Sequence, residues 1–377
     1  TEVPDITARI CGICPVAYQM SAVEALEWIH GVSPTPWIHR MRRVLYCGEW
    51  IQSHALHIHL LALPDFLGFG NALEMGKAHP DVLRRGLRLQ GLGNELVRLL
   101  GARSVHPVGT RVGGFFHAPA PADASALADR LEAALPDAEA LIGWLADIEV
   151  PDVTQDFVSV ALANGDAYPM IGRRIQASDG LDIPVDEYEQ HFREDHVPHS
   201  TALHACYHDR PFVVGPIARL NLHLERLPAR SRELLDRTGI EFPSQNMYHS
   251  MLARAVELHL AIDEAAKLLR AYRMTDTPWV EHTPKAGTGS GASEAPRGLL
   301  WHSYETDENG LIRAARIIPP TSQNQARIEE DIGQTLQHLG LDRPAEELRF
   351  EAERVIRNYD PCISCATHFL RLEIEHR

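Results

Sequence analysis

Two Cys-x-x-Cys pairs, Cys11/Cys14 and Cys362/Cys365, stand near opposite ends of the 377-residue chain. Two cysteines three apart in a tight turn or at a helix end face the same way, so each pair offers two thiolates to one metal. Zinc ribbons place such pairs about 15–20 residues apart, whereas almost the whole chain separates Cys14 from Cys362. A site built from both pairs therefore requires a fold that joins the chain ends at the centre of a large domain.

Two alternatives to a central site for a soft transition metal remain open at this point. A structural zinc could use the same thiolates, and the CGIC pair alone has the spacing of a redox-active dithiol. Dithiol exchange would need a strand directly before the pair, and the preceding TEVPDITAR gives weak support for one. The lone Cys47 and Cys206 are expected to be buried as small apolar side chains.

The composition excludes several classes of partner. A net charge of −15 and a pI near 5.7 argue against nucleic acid or an anionic membrane as the main partner. No apolar run approaches the roughly 20 residues that span a bilayer. Six cysteines are too few for a disulfide framework in a chain of this length, so we expect a reducing, cytoplasmic setting.

Apolar residues recur at three- and four-residue spacing over most of the chain. This pattern, together with the few strand signals, predicts a predominantly helical α+β fold, and we expect one domain over residues 1–377. Pro15 is typical of a first helical turn, so Cys14 should lie at that helix's N-terminal edge. Pro136 should break or kink its helix. The predicted helices cover residues 15–30, 39–62, 80–101, 122–147, 244–274 and 323–358.

Strand signals are fewer and predict small peripheral hairpins and sheets. Residues 298–320 predict a hairpin with Asn309 and Gly310 at its turn. The Gly- and Ser-rich residues 285–298 have neither the Walker spacing nor GxGxxG after a strand, so we expect a tight loop that presents Arg297 rather than a phosphate site. Two further short strands are predicted within residues 156–163 and 168–178.

Three nearby histidines, His54, His57 and His59, could suggest another metal site. On a helix His54 and His57 share a face, but His59 points well away from it. We therefore expect these rings to pack around a buried centre rather than to bind one ion.

Six stretches of the sequence together resemble one family, the large subunit of nickel–iron hydrogenases. They occur in the family's order and extend from one end of the chain to the other, which leaves structural zinc as a minor alternative. The stretches are RICGIC (9–14), SHALHIHLLALPD (53–65), HPVGTRVGG (106–114), SEAPRG (293–298), IPPTSQNQ (318–325) and DPCISCATH (360–368).

The resemblance implies a fold with a central bundle of long helices and small peripheral hairpins and sheets. It also implies that the four cysteines hold nickel. Cys14 and Cys365 would also bridge to an iron that carries carbon monoxide and two cyanides, while Cys11 and Cys362 would be terminal nickel ligands. Heterolysis of dihydrogen needs a Lewis-acidic metal beside a base. Cys362 matches the thiolate that the family is thought to use as this base.

Other site residues follow from the same resemblance. Arg297 matches the arginine whose guanidinium hangs over the open nickel–iron position, and Asp360 matches the carboxylate that positions it. His368 matches a C-terminal histidine that ligates a second, structural magnesium or iron ion. The family's cyanide-cradling segments are matched by Pro296, Thr321 and Ser322.

The sequence also departs from the family. Tyr18 stands where many members have a histidine that contacts a bridging sulfur, and Ser53 stands where others have an aspartate facing the arginine. The family's RxEGH-type motif, whose glutamate takes protons from the terminal thiolate, has no counterpart. The chain is therefore expected to lack an N-terminal segment. FLRLEIEHR remains after His368, where family precursors are cut once nickel is in place.

The activity that the resemblance implies is reversible heterolysis of dihydrogen to two protons and two electrons. Since the chain has no further cysteine cluster for iron–sulfur centres, a small subunit that carries them is implied as a partner. The stretches ARICGICPVAYQMSAVEALE (8–27) and DPCISCATHF (360–369) are most similar to the cytoplasmic, bidirectional branch, whose diaphorase (flavoprotein) subunits pass electrons to NAD(P). Other relatives serve a deazaflavin coenzyme or a heterodisulfide reductase, and the related subunit of respiratory complex I has lost the nickel cysteines.

Overall fold

Long helices dominate the computed structural model, which describes residues 2–362. None of the helices in this part of the chain is long and apolar enough to cross a bilayer. The helices are α1 (Val3–Thr7), α2 (Pro15–His30), α3 (Pro36–Leu56), α4 (Leu63–Phe66), α5 (Ala72–Ala78), α6 (Pro80–Gly101), α7 (Pro121–Ala146), α8 (Tyr188–His191), α9 (Pro216–His223), α10 (Ala229–Asp236), α11 (Ser250–Arg270), α12 (Pro320–Leu339) and α13 (Ala345–Tyr359).

The centre of the fold is a bundle of these helices, as predicted. Helix α3 packs against α6 and α11, and α11 packs against α7. Helices α3 and α6 approach closely because both carry glycine at the contact. A Cβ on Gly93 would lie 2.6 Å from the carbonyl oxygen of Gly48. The apolar side chains of the bundle form the largest buried core cluster, which also includes Cys11, Cys14 and Cys362.

Several helix bounds follow the sequence pattern, and others correct it. Helix α2 begins at Pro15 directly after Cys14, as predicted. Helix α3 continues into a π-helical turn, His57–Ala62. Helix α7 runs through Pro136, so of the predicted break or kink the break does not occur. The single helical stretch predicted over 323–358 is wrong, because Gly340 (φ +90°) ends α12 and Pro344 precedes α13.

Within residues 2–362 the strands form four small sheets, which confirms the α+β class. The strands are β1 (Thr110–Arg111), β2 (Gly114–Phe115), β3 (Val158–Ala163), β4 (Arg174–Ala177), β5 (Asp182–Pro184), β6 (Phe192–Asp195), β7 (His204–Tyr207), β8 (Phe212–Val213), β9 (Gly287–Ala295), β10 (Gly298–Thr306) and β11 (Ile312–Ile318). A three-stranded antiparallel sheet has the order β11-β10-β9, and a four-stranded sheet has the order β5-β4-β3-β8 with β3 and β8 parallel.

The Gly- and Ser-rich segment is the clearest correction to the sequence analysis. Residues 285–298 were expected to be a tight loop, but most of them form β9, which pairs with β10 and lies on α2. A Cβ on Gly291 would lie 2.3 Å from the carbonyl oxygen of Ser21 in α2. Glycine is therefore required for the close approach of strand and helix rather than for a turn. The turn itself contains Pro296 and Arg297.

The hairpin predicted over 298–320 is confirmed as β10 and β11. Its turn uses Gly310 at a positive φ of 76°, a conformation that glycine adopts at no steric cost. The Asp307 carboxylate accepts hydrogen bonds from the backbone N–H groups of Asn309 and Leu311 at 2.9 and 3.0 Å. This turn could be predicted from the sequence because it depends only on residues that are neighbours in the chain.

Candidate metal centre

Three of the four predicted thiol ligands converge at the buried end of α2. The Sγ of Cys11 lies 3.0 Å from the Sγ of Cys14 and 3.6 Å from the Sγ of Cys362. All three thiols are almost fully buried. The fold therefore joins the two ends of the chain at this point, while Cys365 and His368 lie outside the described residues.

The backbone around the first pair is fixed from two sides. The N–H groups of Ile13 and Cys14 both donate to the Sγ of Cys11 at 3.4 Å. From α3, the Glu49 carboxylate accepts from the N–H of Val16 at 2.6 Å and from that of Ala17 at 3.1 Å. These are first-turn donors that lack a partner within the helix. Glu49 thus holds the start of α2, and with it Cys14, against the bundle.

Sequence reasoning missed Glu49, although a signal was present. A carboxylate between Gly48 and Trp50, in the middle of a long predicted helix, is rarely buried without a polar partner. Burial raises the pKa of Glu49 to about 8, even though its two backbone donors favour the charged form.

The crowded thiols perturb one another. Hydrogen bonds with Cys14 and Cys362, together with burial, raise the pKa of Cys11 well above its ordinary value. The Cys11 thiol therefore resists ionisation, whereas a bound metal ion reverses that preference and takes thiols as thiolates. A sulfur-rich, dry donor set of this kind suits a soft transition metal.

Arg297 is buried beside the thiols and is held by Asp360. Its Nε donates to the backbone carbonyl of Asp360 at 2.6 Å, and its Nη2 donates to Oδ1 of the same residue at 3.1 Å. Burial alone would lower the pKa of Arg297, but Asp360 and the cysteine sulfurs together raise it above its ordinary value. Its Nη1 has no hydrogen-bond partner within residues 2–362. One donor of a buried, permanently charged guanidinium therefore stays available.

Asp360 occupies a conformation that suits this contact. It follows α13 with a left-handed φ of 53°, which Asp tolerates better than most residues. Its Oδ1 also lies 4.0 Å from Nε2 of His57. Burial lowers the pKa of His57 to about 3, so this ring is neutral at neutral pH and leaves Arg297 as the partner of Asp360.

The three residues matched to cyanide binding lie on two sides of the thiols. Thr321 touches the cluster directly, because its Oγ1 accepts from the N–H of Cys362 at 3.2 Å. The hydroxyl of Ser322 donates to the Pro319 carbonyl at 3.0 Å in the first turn of α12. Pro296 precedes Arg297 in the β9–β10 turn.

A buried ionic network, absent from the sequence analysis, supports that turn. Arg219 on α9 donates through Nε and Nη2 to both carboxylate oxygens of Glu257 at 2.7 Å, and through Nη1 to Glu294 at 2.8 Å. It also donates to the carbonyls of Ala295 and Pro296 at 2.9 and 3.1 Å. All three charged side chains are fully buried. The network thus fixes the backbone that carries Arg297.

The three histidines do not share an ion-binding point. His54 contacts Glu257 at 3.0 Å, His57 contacts the Arg357 carbonyl at 2.8 Å, and His59 contacts the Ala55 carbonyl at 2.9 Å. Each ring packs and hydrogen-bonds separately, as predicted from the spacing.

Tyr18 and Ser53, the two residues that depart from the family pattern, are also buried. The ring of Tyr18 lies 5.6 Å from that of His302. The Ser53 hydroxyl makes no hydrogen bond to any residue that the structure describes. Neither side chain brings a charge to the thiols.

Comparison with known proteins identifies the family. The family model described as nickel-dependent hydrogenase matches residues 1–88 and 184–368. Sulfhydrogenase 1 subunit alpha of Pyrococcus furiosus is 36% identical over 371 residues, covering 97% of this chain and 86% of that protein. The NAD-reducing hydrogenase HoxS subunit beta of Cupriavidus necator is 28% identical over 425 residues, covering 98% of this chain and 85% of that protein.

A solved structure agrees in fold over the same extent. The crystal structure of an NAD+-reducing NiFe hydrogenase in its H2-reduced state matches with a TM-score of 0.88 at 26% identity, covering 97% of this chain and 88% of that one. The matched family is described as nickel-dependent, which favours nickel over structural zinc and over dithiol exchange. The chain belongs to the nickel-dependent hydrogenase family and is a nickel–iron hydrogenase catalytic subunit, an oxidoreductase that acts on dihydrogen.

Proposed function

We propose that Cys11, Cys14, Cys362 and Cys365 hold the nickel–iron centre and that dihydrogen is cleaved heterolytically and reversibly beside Arg297. The observation that carries this proposal is the convergence of three buried thiols next to a buried guanidinium, one donor of which has no partner within residues 2–362. A bound metal cation would offset the repulsion between neighbouring thiolates. The donor set therefore fits the centre.

The centre, when bound, supplies the Lewis acidity that polarises dihydrogen. Overall, one dihydrogen yields two protons and two electrons. In our proposal the Sγ of Cys362 holds the first proton, and the N–H of Cys362 is fixed by Thr321. Arg297 places a fixed positive charge and its Nη1 donor where charge separates, and such preorganised charge lowers the barrier most in a dry site. Asp360 acts as a positioning residue for Arg297.

Further ligands belong to the same proposal. The iron would carry carbon monoxide and two cyanides, cradled by Pro296, Thr321 and Ser322. Support comes from the position of the two hydroxyl residues in the first turn of α12, where unpaired backbone N–H groups and the helix dipole favour negative charge. A magnesium or iron ion at His368 is proposed from the motif alone.

The electrons are proposed to leave through an iron–sulfur small subunit and to reach NAD(P) through diaphorase subunits in the cytoplasm. Support comes from the relative named an NAD-reducing hydrogenase and from the NAD+-reducing structural neighbour. Within the described residues, Cys47 and Cys206 stand apart from the centre and form no second cysteine cluster. An electron acceptor outside this chain is therefore required.

The test is to purify the chain with its natural partners and to measure its metals and its electron acceptors. We expect nickel and iron in the complex and dihydrogen-dependent reduction of NAD+ or NADP+. Cys362→Ser should lose nickel, whereas Cys206→Ser, a change at a distant and partly exposed thiol, should keep it. Zinc as the sole metal would contradict the centre. Reduction of a deazaflavin or a heterodisulfide, but not of NAD(P)+, would contradict the proposed acceptor.

A further inference from the structure

We propose that His199, His204 and Glu329 form a second metal site, separate from the thiol centre, for a divalent first-row transition ion such as zinc. The site lies where the loop between β6 and β7 meets α12. Two imidazoles and one carboxylate form a donor set that binds such ions in many proteins.

The three side chains already face one point. One ligand atom from each lies within 4.8 Å of the others. The Nε2 of His199 lies 3.0 Å from one carboxylate oxygen of Glu329, and the Nε2 of His204 lies 3.2 Å from the other oxygen. The carboxylate therefore sits between two imidazole nitrogens, and small rotations would aim all three at a shared ion.

The state of His204 distinguishes this cluster from a surface ion pair. His204 is 7% exposed, and its Nε2 lies 3.2 Å from the Glu329 carboxylate but makes no well-aligned hydrogen bond within residues 2–362. A buried polar atom whose hydrogen bonding is unsatisfied destabilises the fold. A metal ion at the cluster would satisfy this nitrogen, and the exposed His199 would leave the ion reachable from solvent.

The backbone supports the cluster on two rigid elements. His204 begins β7 and pairs with Asp195 of β6, and Glu329 lies on α12. Helix α12 is the same helix whose first turn places Thr321 against Cys362. A bound ion would tie the β6–β7 loop to α12. Three protein ligands leave a further coordination position for water.

The test measures zinc binding to the assembled complex after its thiol centre is loaded with nickel and iron. Wild type should bind more zinc than His204→Ala by one equivalent, and His199→Ala and Glu329→Gln should each weaken binding at least tenfold. His338→Ala, at an exposed histidine elsewhere on α12, is the matched control and should bind as wild type does. His199 is exposed, so its variant should fold even if His204→Ala does not.

Cobalt(II) gives a second readout that identifies the donor atoms. Cobalt at this cluster should show ligand-field bands without thiolate charge-transfer absorption, and these bands should be absent from His199→Ala. Equal zinc binding in wild type, His199→Ala and Glu329→Gln would overturn the proposal, as would thiolate absorption from the added cobalt. Either result would be independent of the function proposed for the thiol centre.

Discussion

Asp360 holds Arg297 by two hydrogen bonds, from Nε to its backbone carbonyl at 2.6 Å and from Nη2 to its carboxylate at 3.1 Å. The first bond does not involve the Asp360 side chain, whereas the second depends on the carboxylate. Substitutions at Asp360 can therefore test the contribution of its negative charge apart from that of its backbone hydrogen bond to Arg297.

Asp360→Asn should lower dihydrogen turnover while nickel content stays unchanged. Its amide oxygen can still accept from Nη2, but the negative charge beside Arg297 is lost. Asp360→Ala should be worse, because leaving a buried charge without its partner costs about 3–5 kcal/mol. Steady-state kinetics should show the loss in kcat more than in KM, with nickel measured in parallel.

The exposed Asp342→Asn serves as the control and should behave as wild type. Equal kcat values for wild type and both Asp360 variants would contradict a positioning role for this carboxylate.

Thr321→Val should destabilise the site locally. The change removes the oxygen that accepts from the Cys362 N–H at 3.2 Å and leaves this buried donor unsatisfied, at a cost of about 1–3 kcal/mol. Thr321→Ser keeps the hydroxyl and should restore most of the loss. Thermal unfolding and nickel retention during dialysis measure the effect, and identical behaviour of the two variants would show that the hydroxyl is dispensable.

Gly291→Ala should destabilise the protein by about 1–3 kcal/mol, as overpacking does. Its Cβ would lie 2.3 Å from the Ser21 carbonyl oxygen and 2.5 Å from the Ala25 nitrogen, so β9 would have to move off α2. Gly333→Ala on α12 is the control, because its Cβ meets nothing within 4 Å. Denaturant midpoints should fall for the first variant and hold or rise for the second; equal midpoints would refute the close-approach argument.

The glycines of β9 show which structural features could not be predicted from the sequence. Pro15 fixes the start of α2 locally, and Gly310 fixes a turn locally, so both were readable from the sequence. The glycines of β9 have low intrinsic strand preference, and only the adjacent helix explains them.

The pairing of Arg219 with Glu257 joins two helices that are separated in sequence, and no spacing rule could have revealed it. Gly340 and Pro344, by contrast, were local signals for the gap between α12 and α13 that the periodicity obscured.

Glu49→Gln should flatten the pH dependence of stability. Burial raises the pKa of Glu49 from an ordinary 4.5 to about 8. Between these values the folded protein keeps a proton that the unfolded chain has released, so this group's stabilising contribution is full below pH 4.5 and declines as pH rises through 8. Glutamine cannot titrate. Unfolding midpoints over this pH range should fall more steeply for wild type than for the variant, and parallel curves would exclude Glu49 as the source.

The central claim is that Arg297 acts on dihydrogen beside metal-binding thiols. Lysine keeps the positive charge but lacks the planar fork that bonds Asp360 at two nitrogens and leaves Nη1 free. The most direct measurement is therefore isotope exchange between dihydrogen and D2O, catalysed by the purified Arg297→Lys complex, with nickel and iron determined on the same sample. The account predicts exchange lower by roughly 10²–10³-fold, the usual cost of removing a preorganised donor, at unchanged metal content. Undiminished exchange at full metal content would contradict it.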